Sequence, residues 1–136
     1  MSWDLIAIDI PPEFKCVADI PKGFMPSPIG KRSKVVERIK GIIPTADFSD
    51  PSWGLIDGED WSIEVNLGKN HECKSFAFHV RGGDAAVGVV AAILQGLNLR
   101  AFDCQTGEFF VAGDEAIESF QRWRKYRDRF VTSSNK

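Results

Sequence analysis

The chain is short of the residues that most often do chemistry. It has two histidines and three cysteines in 136 residues, and Cys16, Cys73 and Cys104 lie far apart with no C-x-x-C spacing. An odd, scattered set of thiols argues against a disulfide framework and favours a reducing compartment. No apolar run approaches the ~20 residues of a membrane helix. The opening MSWDLIAIDIPPE carries an acid at position 4 and no basic segment ahead of its apolar residues, so no secretory signal is expected either. A net charge of -2 excludes a strong overall pull toward nucleic acid or an anionic membrane. The dinucleotide fingerprint G-x-G-x-x-G, the Walker loop and the calcium loop D-x-[DN]-x-[DN]-G are all missing. These absences point to a cytoplasmic protein with no cofactor and no metal.

What is present is a globular composition, 43% apolar and 26% charged, in a chain long enough to bury a core as one domain. The expected domain spans 1-131, with 132-136 a frayed tail. Its most informative stretch is SFAFHVRGGDAAVGVVAAILQGLNLRAFD, residues 75–103. Phe76, Phe78 and Val80 alternate with Ala77, His79 and Arg81, the period of a strand with one buried face. Gly82-Gly83-Asp84 then turns the chain, with Asp84 expected to cap the helix that follows. That helix, 85–97, carries Ala86, Val89, Val90, Ile93, Leu94 and Leu97 along one stripe. A second strip of Ala85, Gly88, Ala92 and Gly96 would admit another backbone, either the first helix or a partner subunit.

The other elements follow the same rules. Residues 3–10 are apolar on both faces, as in a central strand. Residues 11–30 hold five of the seven prolines and form a lid or, as the reading preferred here, an arm packed by Phe14, Val17, Ile20, Phe24 and Met25. Apolar positions 35, 36, 39, 42 and 43 define a helix over 31–43 with a basic outer face. An acidic, turn-rich stretch leads to a strand at 53–56, which folds back as a hairpin onto 61–67. Trp53 and Trp61 read as core or hairpin residues. Strand 61–67 alternates cleanly and pairs with 75–81; one in-phase register places Glu64 opposite His79 and Ser62 opposite Arg81, and its neighbour pairs Glu64 with Arg81. Strand 98–104 follows a helical crossover and should run parallel to 75–81. A short strand at Phe109-Phe110-Val111 and a helix over 114–130 close the chain. The fold class is therefore α+β: a mixed, mostly antiparallel sheet of about five strands, two helices on one face, and a C-terminal helix.

Several groupings invite chemistry. Arg81, Gly82 and Gly83 ahead of a helix suit an anion, although a helix end contributes only ~0.3–1 kcal/mol to an anion's binding, against the roughly 8 kcal/mol of micromolar affinity. Glu64 and His79, with Arg81, could serve as base, acid and oxyanion partner if a cleft forms over them. His71-Glu72-Cys73 lacks the further ligands a metal needs, and neither Cys73 nor Cys104 has a definable base. The basic clusters at 31–40 and 122–129 hold ten of the seventeen Lys and Arg residues. The second, with Trp123, Tyr126 and Phe130 interleaved, could bind nucleic acid but reads better as an exposed amphipathic helix whose charge matches its dipole, with Arg122, Arg124 and Arg127 as candidate partner-binding residues.

The succession ADFSDPSWGLIDGEDWSIEVNLG, FAFHVRGGDAAVGVV and LRAFDCQTGEFF resembles a set of small uncharacterised bacterial proteins sharing the SDPSWG, EVNLG, FHVRGG and TGEFF series. The resemblance covers most of the chain and implies a single bacterial cytoplasmic domain. It brings no activity, cofactor or catalytic residue to positions here. The leading functional expectation is a non-enzymatic module that binds another protein or a second copy of itself, in an immunity or adaptor role. The alternative is a small-ligand or anion-binding protein or an enzyme using Glu64, His79, Arg81 and the Gly82-Gly83 corner.

Overall fold

A computed structural model describes residues 2–110 and 121. The fold is α+β. In chain order the elements are β1 (Trp3–Ile8), β2 (Gly30–Lys31), α1 (Arg32–Ile42), β3 (Asp47–Asp50), β4 (Trp53–Asp57), β5 (Trp61–Asn66), β6 (Glu72–Cys73), β7 (Ser75–Gly82), α2 (Ala85–Leu97) and β8 (Arg100–Asp103). Six strands form one sheet in the order β3-β4-β5-β7-β1-β8, and β2 pairs with β6 apart from it. Each neighbouring pair is antiparallel. Strands β7 and β8 therefore run parallel, as a helical crossover requires, but with β1 inserted between them.

The core lies between one sheet face and the two helices. Leu5 and Ala7 of β1, Ile56 of β4, Ile63 and Val65 of β5, and Phe76, Phe78 and Val80 of β7 meet Val35 and Ile39 of α1 there. The buried stripe of α2 is Ala86, Val87, Val90, Ile93, Leu94 and Leu97. Val87 thus replaces the expected Val89, which is only partly buried. The helices meet at Gly96, where a Cβ would stand 2.4 Å from Cδ1 of Ile42. Arg38 fixes the contact by donating to the Gly96 carbonyl at 3.0 Å. The small-residue strip therefore receives the first helix at this end, while a Cβ at Gly88 would meet nothing within 4 Å.

Three expectations are corrected. The stretch 47–50, read as turns, is edge strand β3; its carboxylates serve the turns within and after it. Ser49 donates to Asp47 through Oγ and N at 2.6 and 2.9 Å, and Ser52 does the same to Asp50 at 2.7 and 2.9 Å. The first strand ends at Ile8 rather than residue 10, and the last begins at Arg100, because Asn98 takes the left-handed conformation that ends α2. The arm at 11–30 packs Phe14 edge-on to Phe24, with ring centroids 5.4 Å apart. None of its five apolar anchors is buried, however, and Met25 is 84% exposed. Phe109 bridges to Phe102. Val111, nearly all of the helix expected at 114–130, and the tail lie outside the described residues.

Two outcomes follow. Phe78 is fully buried, so Phe78→Ala should lower unfolding free energy by about 3–5 kcal/mol in equilibrium denaturation. The serine hydroxyls, and then the backbone N–H groups of the same serines, hold the carboxyls of Asp47 and Asp50 below their ordinary 3.8. A folded-state pKa depressed in this way adds stability that is present above 3.8 and is lost as pH falls through the folded value. Carboxyl NMR titration should therefore place both midpoints below 3.8; a midpoint at or above it would mean that these turns are not formed in solution.

Candidate functional site

The register of β5 on β7 pairs Ser62 with Arg81 and Glu64 with His79, and that of β1 on β7 pairs Asp4 with His79. Since successive side chains alternate in a strand, the phase that sends Phe76, Phe78 and Val80 into the core sends Ala77, His79 and Arg81 to the face away from the helices. Two cross-strand rows result. One reads Trp53, Asn66, Ala77, Ile6 and Phe102; the other reads Leu55, Glu64, His79 and Asp4.

The charged groups of this face bind one another. Arg81 Nη1 lies 3.2 Å from Glu64 Oε2, a diagonal contact across the pair of strands. His79 Nδ1 lies 2.8 Å from Asp4 Oδ1, and Ser2 Oγ donates to the same oxygen. Trp53 reaches over β5 to stack on the imidazole, with centroids 5.7 Å apart and planes 19° apart. Around these pairs stand exposed apolar side chains: Trp53, Leu55 and Ile6 are each 38–39% exposed. The structure thus brings Glu64, His79 and Arg81 together and adds Asp4, which fixes the imidazole through Nδ1 and leaves Nε2 free of it.

The glycine corner is filled by the chain itself. Gly82 has φ of 95°, and a Cβ there would lie 2.1 Å from the Asp60 carbonyl oxygen. Gly83 donates its N–H to that oxygen at 3.0 Å, and a Cβ on Gly83 would lie 2.6 Å from Asp60 Oδ2. The place proposed for an external anion therefore has the Asp60 carboxylate against it. Asp84 does not cap α2 as expected. Its backbone is already helical (φ -65°, ψ -22°), which turns the side chain away from the first-turn N–H groups; its Oδ2 accepts instead from Gln121 Nε2 at 2.9 Å.

Elsewhere the candidates do not converge. Cys73 points into the core while His71 is exposed, and burial pushes the Cys73 thiol up. Burial, then the carboxylates of Asp4 and Asp103, push the Cys104 thiol up as well, so both remain protonated and poorly nucleophilic at neutral pH. Among the described residues no group of three or more His, Cys, Asp and Glu is placed to hold a metal ion. Arg122, Arg124 and Arg127 lie outside the described residues.

Sequence reasoning missed Asp4 and the exposure of Trp53. Asp4 sits in an otherwise apolar strand, and its phase, opposite to Trp3 and Leu5, was the available signal. Trp53 and Leu55 alternate with the buried Gly54 and Ile56, a phase that residue type conceals because tryptophan and leucine both read as core. No family model, curated protein or solved structure matches the chain.

A double-mutant cycle on Glu64→Gln and Arg81→Met should give a coupling of about 0.2–1 kcal/mol that shrinks with added salt, as for half-exposed ion pairs. A coupling of zero at low salt would show that the two side chains do not meet in solution.

Proposed function

We propose that this protein is a non-enzymatic binding module that presents the open face of its six-stranded sheet to another protein, as an adaptor or immunity protein does. The observation that carries the reading is that Trp53 and Leu55 on β4 and Ile6 on β1, each 38–39% exposed, stand on one face with the Arg81–Glu64 ion pair and the His79–Asp4 hydrogen bond. Lone exposed apolar residues need no explanation, but several on one sheet face, interspersed with ordered charged and polar side chains, have the mixed composition of an interface. Tryptophan is among the residue types most often found to dominate binding energy at an interface. The fixed order of acids and bases between them would select among partners, because a misaligned surface leaves charges unpaired.

A catalytic use of Glu64 and His79 has less support. Glu64 is engaged with Arg81 and His79 with Asp4. One cavity lies at the arm and another at α2, while a third, on this same face, is walled by Ile6, Asn66 and Ala77 and by none of Glu64, His79 and Arg81. A bacterial cytoplasmic setting is part of the proposal; it draws support from three cysteines that are all free thiols. No helix among the described residues is long and apolar enough to cross a membrane.

Affinity capture from a bacterial lysate, comparing the wild-type chain with Trp53→Glu and Ile6→Glu, tests the reading. A specific partner should be retained by the wild type and lost from both variants while their thermal melting is unchanged; for a purified partner the loss should be roughly 30-fold or more, as at an interface hot spot. Equal capture by wild type and variants would overturn it.

A further inference from the structure

A cavity of about 240 Å³ lies where the 11–30 arm crosses the end of the sheet, between the segment after β1 and the turn from α2 into β8. Its wall holds two opposite charges, Asp9 and Arg100, together with the Asn98 amide and the apolar side chains of Phe24, Met25 and Leu99. Among the described residues neither charge has an ion-pair partner, and they do not pair with each other.

Arg100 is nonetheless held in place. Its Nη1 donates to the Pro11 carbonyl at 3.1 Å and to the Phe14 carbonyl, and its guanidinium lies 3.8 Å from the centroid of the Phe109 ring. Carbonyl oxygens and a ring face orient a guanidinium without neutralising it. Nη2 and Nε, two of the three nitrogens of the fork, make no hydrogen bond to the described residues. The segment carrying Asp9 is fixed by its bridge to Ser27, and the Asp9 carboxylate likewise accepts no hydrogen bond from them.

A fixed guanidinium and a separate carboxylate, unpaired in the wall of one cavity beside apolar side chains, form the complement of a small zwitterion. We propose that this cavity binds a free α-amino acid with an apolar side chain. Its carboxylate meets Arg100, its ammonium meets Asp9, and its side chain lies against Phe24, Met25 and Leu99. Size supports this class, since the volume falls below the ~300–1,000 Å³ of sites for drug-sized ligands. Met25, 84% exposed in the free protein, supplies a flexible thioether that can close over apolar side chains of different shape.

The test is titration of the full-length chain with L-leucine, N-acetyl-L-leucine and L-leucinamide, followed by NMR shifts or calorimetry. Leucine should bind saturably and shift resonances of residues 9–11, 24–27 and 98–100. Each blocked analogue, lacking one of the two charges, should bind roughly tenfold to a hundredfold more weakly. Asp9→Asn should weaken leucine but leave N-acetyl-leucine unchanged, whereas Trp53→Glu on the distant row should leave leucine binding as it was. Absence of saturable leucine binding, equal binding of all three ligands, or an Asp9→Asn protein that binds leucine as the wild type does would each overturn the proposal. Should Asp9→Asn fail to fold, the three ligands on the wild-type chain still decide it.

Discussion

Strand β7 is hydrogen-bonded on both sides, to β5 and to β1, and the phase of its side chains fixes both faces of the sheet. A slip of one residue on either flank would carry an entire apolar set into solvent. With Phe76, Phe78 and Val80 buried at 3%, 0% and 0% exposure, that slip is prohibitively costly. The same constraint leaves His79 and Arg81 no place except the open face, and it draws Glu64 and Asp4 in beside them. The charged network is thus a consequence of the core's register. The exit of β7 is fixed as firmly: Gly82, at a φ that side chains resist, lets the Asp60 backbone close against the corner before α2 begins.

What could be read from the sequence was whatever is local and periodic. Strands 61–67 and 75–81 alternate without interruption, so their pairing in phase followed from keeping the apolar faces together; that rule allowed Glu64 opposite either His79 or Arg81, and the structure takes the former. Strand order did not follow, because nothing local tells β1 to enter between β7 and β8. Strand β3 was hidden by composition: Asp47, Ser49 and Asp50 have low strand propensity, and the strand is held by Phe48 filling the space left by Gly54, where a Cβ would come within 2.4 Å of its ring. The cap assigned to Asp84 failed because residue type does not reveal backbone angle. Trp53, read as core or hairpin, proves to be a hairpin residue with its ring on the open face, because its size suggested the core while its phase placed it outside.

The Arg81–Glu64 ion pair and the His79–Asp4 hydrogen bond contribute little to folding; an ion pair this exposed is worth about 0–1 kcal/mol. Their value lies in arrangement. Asp4 holds His79, Glu64 holds Arg81, and Trp53 covers the imidazole, so the side chains a partner would meet are already ordered and less rotamer entropy remains to be lost on association. A sheet whose other face is packed by helices has little freedom to adapt its strands. The proposed recognition through the open face would therefore rest on a rigid, pre-arranged pattern.

Arg100 links that face to the arm. It is paired with Ile8 on the edge strand β8, and a single nitrogen of its guanidinium ties down both Pro11 and Phe14. The arm's other fixed points are the Asp9–Ser27 bridge and the bond from Ile29 N–H to the Cys73 carbonyl. Between these points its backbone hydrogen bonds are local, from Phe14 to Pro11, from Lys15 and Cys16 to the Asp19 carboxylate, from Asp19 to Cys16, from Ile20 to Val17 and from Phe24 to Pro21. None of its apolar side chains is buried, and under these conditions local opening costs little. Removing the guanidinium would therefore free the first half of the arm while leaving the core untouched, because no residue of the arm belongs to the buried cluster and Ile29, which packs against it, lies at the arm's far end. A ligand held by Arg100 would act in the opposite sense, adding contacts at a side chain that joins arm, edge strand and cavity. It would order the arm by an amount set by its preference for the closed form over the open one.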